Sequence, residues 1–124
     1  MNYQVLPTSL KGKIVVPASK SDAQRAIIAA SLAIGSSKVT NCGMSEDVKH
    51  VLKVIEQLGA KTLRVDANSY DVSGGKLDSS NELNVGESGL AIRLLTPIVS
   101  IQKHKISLSG KGSLLKRSLH FFDE

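Results

Sequence analysis

Lys20, Ser21 and Arg25 are the residues of this chain whose types and spacing could do chemistry. They follow Pro17-Ala18-Ser19, where an extended lead-in, Ile14-Val15-Val16, stops. An almost wholly apolar helix is expected to begin near Ser21, which puts all three residues around one helix N-terminus. Backbone N–H groups are unpaired there, and the helix dipole favours negative charge. A cation on the entry loop, a hydroxyl at the cap and a guanidinium one turn later make a compact receptor for a phosphate or carboxylate. Spacing alone leaves a bland alternative at even weight, in which Ser21 merely caps the helix and Arg25 is solvated. Context favours the receptor, because Arg25 adjoins an apolar helix face where covering an unpaired guanidinium is costly.

A second group lies downstream. Gly86-Glu87-Ser88-Gly89 is a glycine-bounded turn leading into another helix, and Gly89 would let a ligand approach its N–H groups closely. Glu87 opposes a bare anion nest unless a cation or hydroxyl balances it. Arg93 follows Gly89 by four residues, as Arg25 follows Ser21. Lys111, Lys116 and Arg117 form a basic cluster, and such clusters are more often solvated faces than sites. His50, His104 and His120 lack ligand spacing for a metal, and no carboxylate pair stands out as an acid–base couple.

Bulk properties bound what these groups can serve. The 124 residues suit one domain or a piece of one. Sixteen Lys and Arg against 11 Asp and Glu give a formal charge of +5, which suits nucleic acid, anionic lipid or small phosphorylated metabolites. Nucleic acid is disfavoured, since there is no long basic run and aromatic stacking platforms are nearly missing. A membrane is disfavoured because no apolar run approaches spanning length. The first residues resemble no signal peptide, and the single Cys42 can form no internal disulfide, so a reducing cytoplasm is the expected home.

The elements that position the groups follow from pattern and punctuation. Residues 3–6 and 13–16 read as short strands. The first helix is expected over 21–33, apolar round nearly its whole circumference and so buried on more than one side, with Gly35 as its stop. Residues 39–41 read as a strand. Ser45 caps a second helix whose stripe is Val48, Val51, Leu52, Ile55 and Leu58, and Gly59 ends it. Residues 62–65 and 69–72 alternate as a hairpin about Asp66-Ala67-Asn68, followed by a loop over 74–81 and a strand over 82–85. A third helix is expected over 88–101, kinked or shortened by Pro97. A strand over 106–108 leads through Gly110-Lys111-Gly112-Ser113 into a last helix bearing Leu114, Leu115, Leu119, Phe121 and Phe122. A strand–helix–strand–helix order thus occurs twice, and the second copy lacks its hairpin. The expectation is the front piece of a longer protein.

These residues resemble a known family, the 5-enolpyruvylshikimate-3-phosphate synthases. Pro17 through Arg25 is similar to its P-G-S-K-S-x-x-x-R opening, and Ser45-Glu46-Asp47 and Leu58-Gly59-Ala60 to its S-x-D and L-G-A stretches. Gly86 through Arg93 resembles G-N-A-G-T-x-x-R, and Gly110 through Arg117 resembles G-x-x-S-L-x-x-R-P. The blocks stand in order over nearly the whole chain. Departures are Ala18 for Gly, Glu87 for Asn, Leu90 for Thr, Lys111 for an acid and Ser118 for Pro.

The resemblance implies an α/β fold of βαβαββ repeat units, the enolpyruvyl transferase fold, with one unit and part of a second here. It associates residues 1–16 with the other domain of the parent and assigns 17–124 to the shikimate-phosphate-binding domain. It implies transfer of the enolpyruvyl group of phosphoenolpyruvate to the 5-hydroxyl of shikimate 3-phosphate, with both as small-molecule partners and no metal or organic cofactor. Lys20, Ser21 and Arg25 would bind shikimate 3-phosphate. Lys20, Gly89 and Arg117 would bind phosphoenolpyruvate, with Glu87 and Arg93 in support. The catalytic acid and base would lie outside this stretch, leaving the fragment alone inactive. A monomeric parent, and self-association of the fragment through its apolar end, are the matching expectations. Two other readings stand beside it: the sister enzyme acting on UDP-N-acetylglucosamine, against which Ser21 and Arg25 count, and a non-catalytic anion-binding module.

Overall fold

The computed structural model describes residues 2–75, 77 and 80–122. The elements are α1 (Lys20–Leu32), β1 (Gly35–Val39), α2 (Glu46–Gln57), β2 (Lys61–Asp66), β3 (Ser69–Gly74), β4 (Glu82–Asn84), α3 (Gly89–Ser100) and β5 (Ser107–Ser109), followed by 3-10 turns at Gly112–Lys116 and His120–Phe122. The α/β class holds, but the doubled strand–helix–strand–helix order is met only in part: no strand precedes α1, and no α-helix follows β5 among the described residues.

Ser19 rather than Ser21 caps α1. Its hydroxyl accepts from the Asp22 amide at 3.3 Å, and Ser21 lies within the first turn. In a Ser-Lys-Ser run either hydroxyl can cap, and the extended backbone that a cap requires falls at Ser19 (φ −73°, ψ 108°). The helix buries one face, through Ala23, Gln24, Ile27, Ile28, Ala30 and Ser31. Arg25, Ala26, Ala29 and Leu32 are exposed, so the expected all-round burial is not what this chain provides.

The α2 cap and stripe are as the pattern predicts. Ser45 accepts from the Val48 amide at 3.3 Å, and Val48, Val51, Leu52 and Ile55 are buried, joined by Val54. β2 and β3 form the expected hairpin, and β3 is the centre of an antiparallel sheet in the order β1-β3-β2. β1 starts four residues earlier than its predicted counterpart. Its sequence, Gly-Ser-Ser-Lys-Val, reads as loop, and pairing along the whole of β3 makes it a strand.

The turn of the hairpin is held by Asp66, whose Oδ1 accepts from the Asn68 amide at 2.7 Å. That bond, then the Ser69 hydroxyl, holds its carboxyl below the usual Asp range. A depressed folded value means that the carboxylate stabilises the turn above the unfolded value, about 4, and that this contribution is lost as pH falls through the folded value. A carboxyl carbon-13 titration should place the Asp66 midpoint below that of an unstructured aspartate. A midpoint in the ordinary range would show that the turn bond does not form.

β4 and β5 run parallel, Leu83 opposite Leu108, with α3 as their crossover. α3 continues past Pro97 to Ser100 rather than being shortened there. Pro97 has no N–H to donate to the Arg93 carbonyl one turn back, and both residues lie on the exposed side of the helix. One apolar core joins the two halves, with Ile27, Val51, Ile55, Val72, Val85 and Ala91 fully buried.

Two expectations fail. Residues 3–6 and 13–16 form no strand: Val5, Leu6, Ile14 and Val15 are each at least 70% exposed. A strand requires a neighbouring strand to satisfy its N–H and C=O groups, and no strand among the described residues lies in ladder with this stretch. The last predicted helix is instead two 3-10 turns. In the first, Leu114 alone is buried, and Arg117 returns to extended backbone (φ −94°, ψ 134°). The Phe121 side chain, Asp123 and Glu124 lie outside the described residues, as do Lys76, Asp78 and Ser79 in the predicted 74–81 loop; Phe122 is 37% exposed.

Candidate functional site

Parallel pairing of β4 with β5 brings two strand ends to one place. The ladder continues through Val85 N–H to the Ser109 carbonyl (3.0 Å) and Lys111 N–H to the Gly86 carbonyl (2.8 Å). The Gly86-to-Gly89 turn and the Lys111-to-Ser113 turn therefore lie side by side, at the carboxyl ends of their strands, where α/β sheets bind ligands. α1 adds a second helix N-terminus. Gln24 and Ser88, both buried, tie the two helix starts together: Ser88 Oγ donates to Gln24 Oε1 at 2.6 Å and accepts from the Ala91 amide at 3.1 Å as the cap of α3. Gln24 Nε2 in turn donates to the Lys20 carbonyl at 3.2 Å.

A cleft of about 560 Å³ opens between these starts. Of the residues singled out from sequence, Lys20, Ser21, Glu87, Gly89 and Arg117 line it. Arg25 and Arg93 are not in its lining. Arg25 is exposed one turn beyond Ser21 and pairs with Asp22 at 3.2 Å. Arg93 donates to the Gly89 carbonyl at 3.0 Å.

Arg117 lies directly over the start of α3. A methyl group at Gly89 would stand 2.7 Å from Arg117 Nη1 and 3.3 Å from Arg93 Nη1. A guanidinium above a helix start concentrates positive potential, the reverse of what a helix start prefers for its own neighbour. An anion placed between them would satisfy both. The lining holds three cations, Lys20, Lys111 and Arg117, and three carboxylates, Glu46, Asp47 and Glu87. Each carboxylate has a partner: Asp47 takes Lys20 at 2.8 Å, Glu46 takes Lys49 at 2.6 Å, and Glu87 takes the Ser113 amide at 2.9 Å. The Lys49 hydrogen bond first, then its charge, lowers the Glu46 carboxyl pKa. Glu87 is lowered likewise, by the Ser113 amide and then the Ser113 hydroxyl.

Gln24, Asp47, His50 and Ser113 belong to the site but were not picked out from sequence as site residues. Asp47 read as a helix-start acid and His50 as an isolated histidine; its Nδ1 donates to the Glu46 carbonyl at 2.7 Å. The available signal was the motif context of Asp47 and Ser113. No spacing rule links Gln24 to Ser88 across 64 residues. Cys42 is buried away from the cleft, and burial, then the Asp66 charge, raises its thiol pKa. No group of three or more His, Cys, Asp or Glu able to hold a metal occurs among the described residues, nor any helix long and apolar enough to cross a membrane.

Comparison with known proteins places this geometry in a family. The family model for EPSP synthase (3-phosphoshikimate 1-carboxyvinyltransferase) matches residues 6–120. The 3-phosphoshikimate 1-carboxyvinyltransferase of Clostridium perfringens strain SM101 is 36% identical over 123 residues, covering 97% of this chain and 29% of that protein. The Methanobrevibacter smithii protein of the same name is 37% identical over 129 residues, covering 100% of this chain and 29% of its own length. The solved EPSP synthase from Acinetobacter baumannii superposes with a TM-score of 0.78 at 29% identity, over 88% of this chain and 26% of that one. The chain thus spans under a third of the length of the relatives it matches. With the motif blocks in order, the α/β fold and the cleft at its strand ends, the chain belongs to the EPSP synthase family.

Proposed function

We propose that the natural protein carrying this chain transfers the enolpyruvyl group of phosphoenolpyruvate to the 5-hydroxyl of shikimate 3-phosphate and releases inorganic phosphate. The observation that carries this reading is Arg117 poised over the Gly89 helix start, with Lys20 and Ser21 on the facing helix start of the same cleft. Both substrates are polyanions, and bringing them together needs converging cations and N–H groups. Positioning and fixed electrostatics of this kind supply much of a group-transfer rate.

In the proposed arrangement Gly89 and Arg117 take phosphoenolpyruvate, and Lys20 stands between the two substrates. Ser21 and Arg25 take the 3-phosphate. Arg25 can join Ser21 there, since the two are four residues apart on one helix stripe. Its exposed pair with Asp22 is of the kind worth about 0–1 kcal/mol, so exchanging that carboxylate for a phosphate costs little. The 5-hydroxyl adds to C2 of phosphoenolpyruvate, and the tetrahedral intermediate expels phosphate. The acid and base of those steps are assigned to parts of the protein outside this stretch. Residues 1–16 are assigned to strands that pair with the other domain, which fits their exposed apolar side chains here. No metal or organic cofactor is invoked, and a cytoplasmic, monomeric enzyme is the matching proposal.

The test is phosphate release by the natural protein. Release is expected only when phosphoenolpyruvate and shikimate 3-phosphate are both present, and none from the 124-residue chain by itself. Release with UDP-N-acetylglucosamine in place of shikimate 3-phosphate, or no release with any acceptor, would overturn the assignment.

A further inference from the structure

Glu87 stands in a cleft otherwise suited to anions, and its carboxylate has a specific employment. Oε2 accepts from the Ser113 amide at 2.9 Å. The nearby Ser113 hydroxyl also favours the ionised form of the carboxylate. That hydroxyl accepts in turn from Arg117 Nη2 at 3.3 Å. The carboxylate fills the space beside Gly112, where a Cβ would meet Glu87 Cδ at 2.4 Å, and Gly112 holds a left-handed backbone (φ +56°). Together with the bond from Lys111 N–H to the Gly86 carbonyl (2.8 Å), this makes a two-point clasp between the α3 entry turn and the 3-10 turn that carries Arg117.

We propose that Glu87 is a positioning residue that, through Ser113, holds the Arg117 guanidinium over the Gly89 helix start. The role in phosphoenolpyruvate binding rests on the reaction proposed above; the placing of Arg117 does not. Ser113 is the pivot, since one hydroxyl can donate to the carboxylate and accept from the guanidinium at once. The Glu87 charge is directed at Ser113, which lets a carboxylate sit in an anion site without contacting the ligand. The absence of a side chain at Gly112 supplies the room for the Glu87 carboxylate.

The experiment compares the natural protein with its Glu87→Ala, Glu87→Gln and Ser113→Ala variants in two readouts. The first is the Arg117 side-chain Nε–Hε resonance. It should shift in Glu87→Ala and Ser113→Ala and stay near its original position in Glu87→Gln, whose amide oxygen can still accept from the Ser113 amide. The second is steady-state kinetics. Glu87→Ala and Ser113→Ala should raise the KM for phosphoenolpyruvate about tenfold with kcat and the KM for shikimate 3-phosphate little changed, and Glu87→Gln should stay within about threefold of the original. An unmoved Arg117 resonance in both alanine variants would overturn the positioning role. A collapse of kcat in Glu87→Gln would overturn it too, in favour of a proton-transfer role for the carboxylate. If the unsubstituted protein performs no enolpyruvyl transfer, the proposed reaction falls, and the Arg117 resonance alone decides the positioning.

Discussion

Gly89→Ala is expected to raise the KM for phosphoenolpyruvate by about a hundredfold while leaving shikimate 3-phosphate binding and folding close to unchanged. The new methyl would stand 2.7 Å from Arg117 Nη1, too close to coexist with it. Gly89 occupies the first position of α3 without a positive φ, so alanine suits the backbone there. The group that gives way is the far end of a flexible arginine, and the clash therefore displaces the guanidinium rather than the helix. A misplacement of about 1 Å in a positioning group can cost on the order of a hundredfold. Steady-state kinetics with each substrate varied separately checks this. An unchanged KM for phosphoenolpyruvate would mean that Arg117 over Gly89 does not face that substrate.

Ser88→Ala is expected to be the most destabilising conservative change at the site. It removes the α3 cap, worth about 0.5–2 kcal/mol. It also leaves the buried Gln24 Oε1 without its 2.6 Å donor, and an unsatisfied buried acceptor costs about 1–3 kcal/mol. The sum, roughly 1.5–5 kcal/mol, is a large share of the 5–15 kcal/mol typical of a folded domain. Urea unfolding measures it. Adding Gln24→Leu to Ser88→Ala should recover part of the loss, because removing both partners leaves no orphan. A single-variant effect below about 0.5 kcal/mol would show that the two helix starts are not joined through this pair.

Much of the molecule could be read from the chain because much of it is local. The α2 stripe, the Ser45 cap, the Asp66-to-Asn68 turn and the glycines flanking the two downstream loops are set by residues within a turn of one another. Local signals also placed Lys20, Ser21, Gly89 and Glu87 at loop-to-helix junctions, the motif resemblance added Arg117, and the fold gathers all five round one cleft. What escaped depends on distant partners. Whether 13–16 is a strand depends on an edge to pair with, whereas the polar β1 becomes a strand because β3 lies beside it. The contacts Lys20–Asp47, Glu87–Ser113 and Gln24–Ser88 join residues 27, 26 and 64 apart, beyond the reach of any periodicity. Glu87 illustrates the difference most plainly. As a residue type it opposed an anion site; as a placed side chain it braces the arginine that forms one.

Lys20, the first residue of α1, lines the cleft where the two substrates are proposed to meet, so its removal is the sharpest probe of the cleft. The decisive measurement is calorimetric titration of shikimate 3-phosphate into the natural protein and its Lys20→Ala variant. Loss of one partner of a desolvated charge pair costs about 2–5 kcal/mol, so binding should weaken by at least roughly 30-fold. Equal affinity in the two proteins would contradict the placement of the phosphorylated substrate at the α1 helix start.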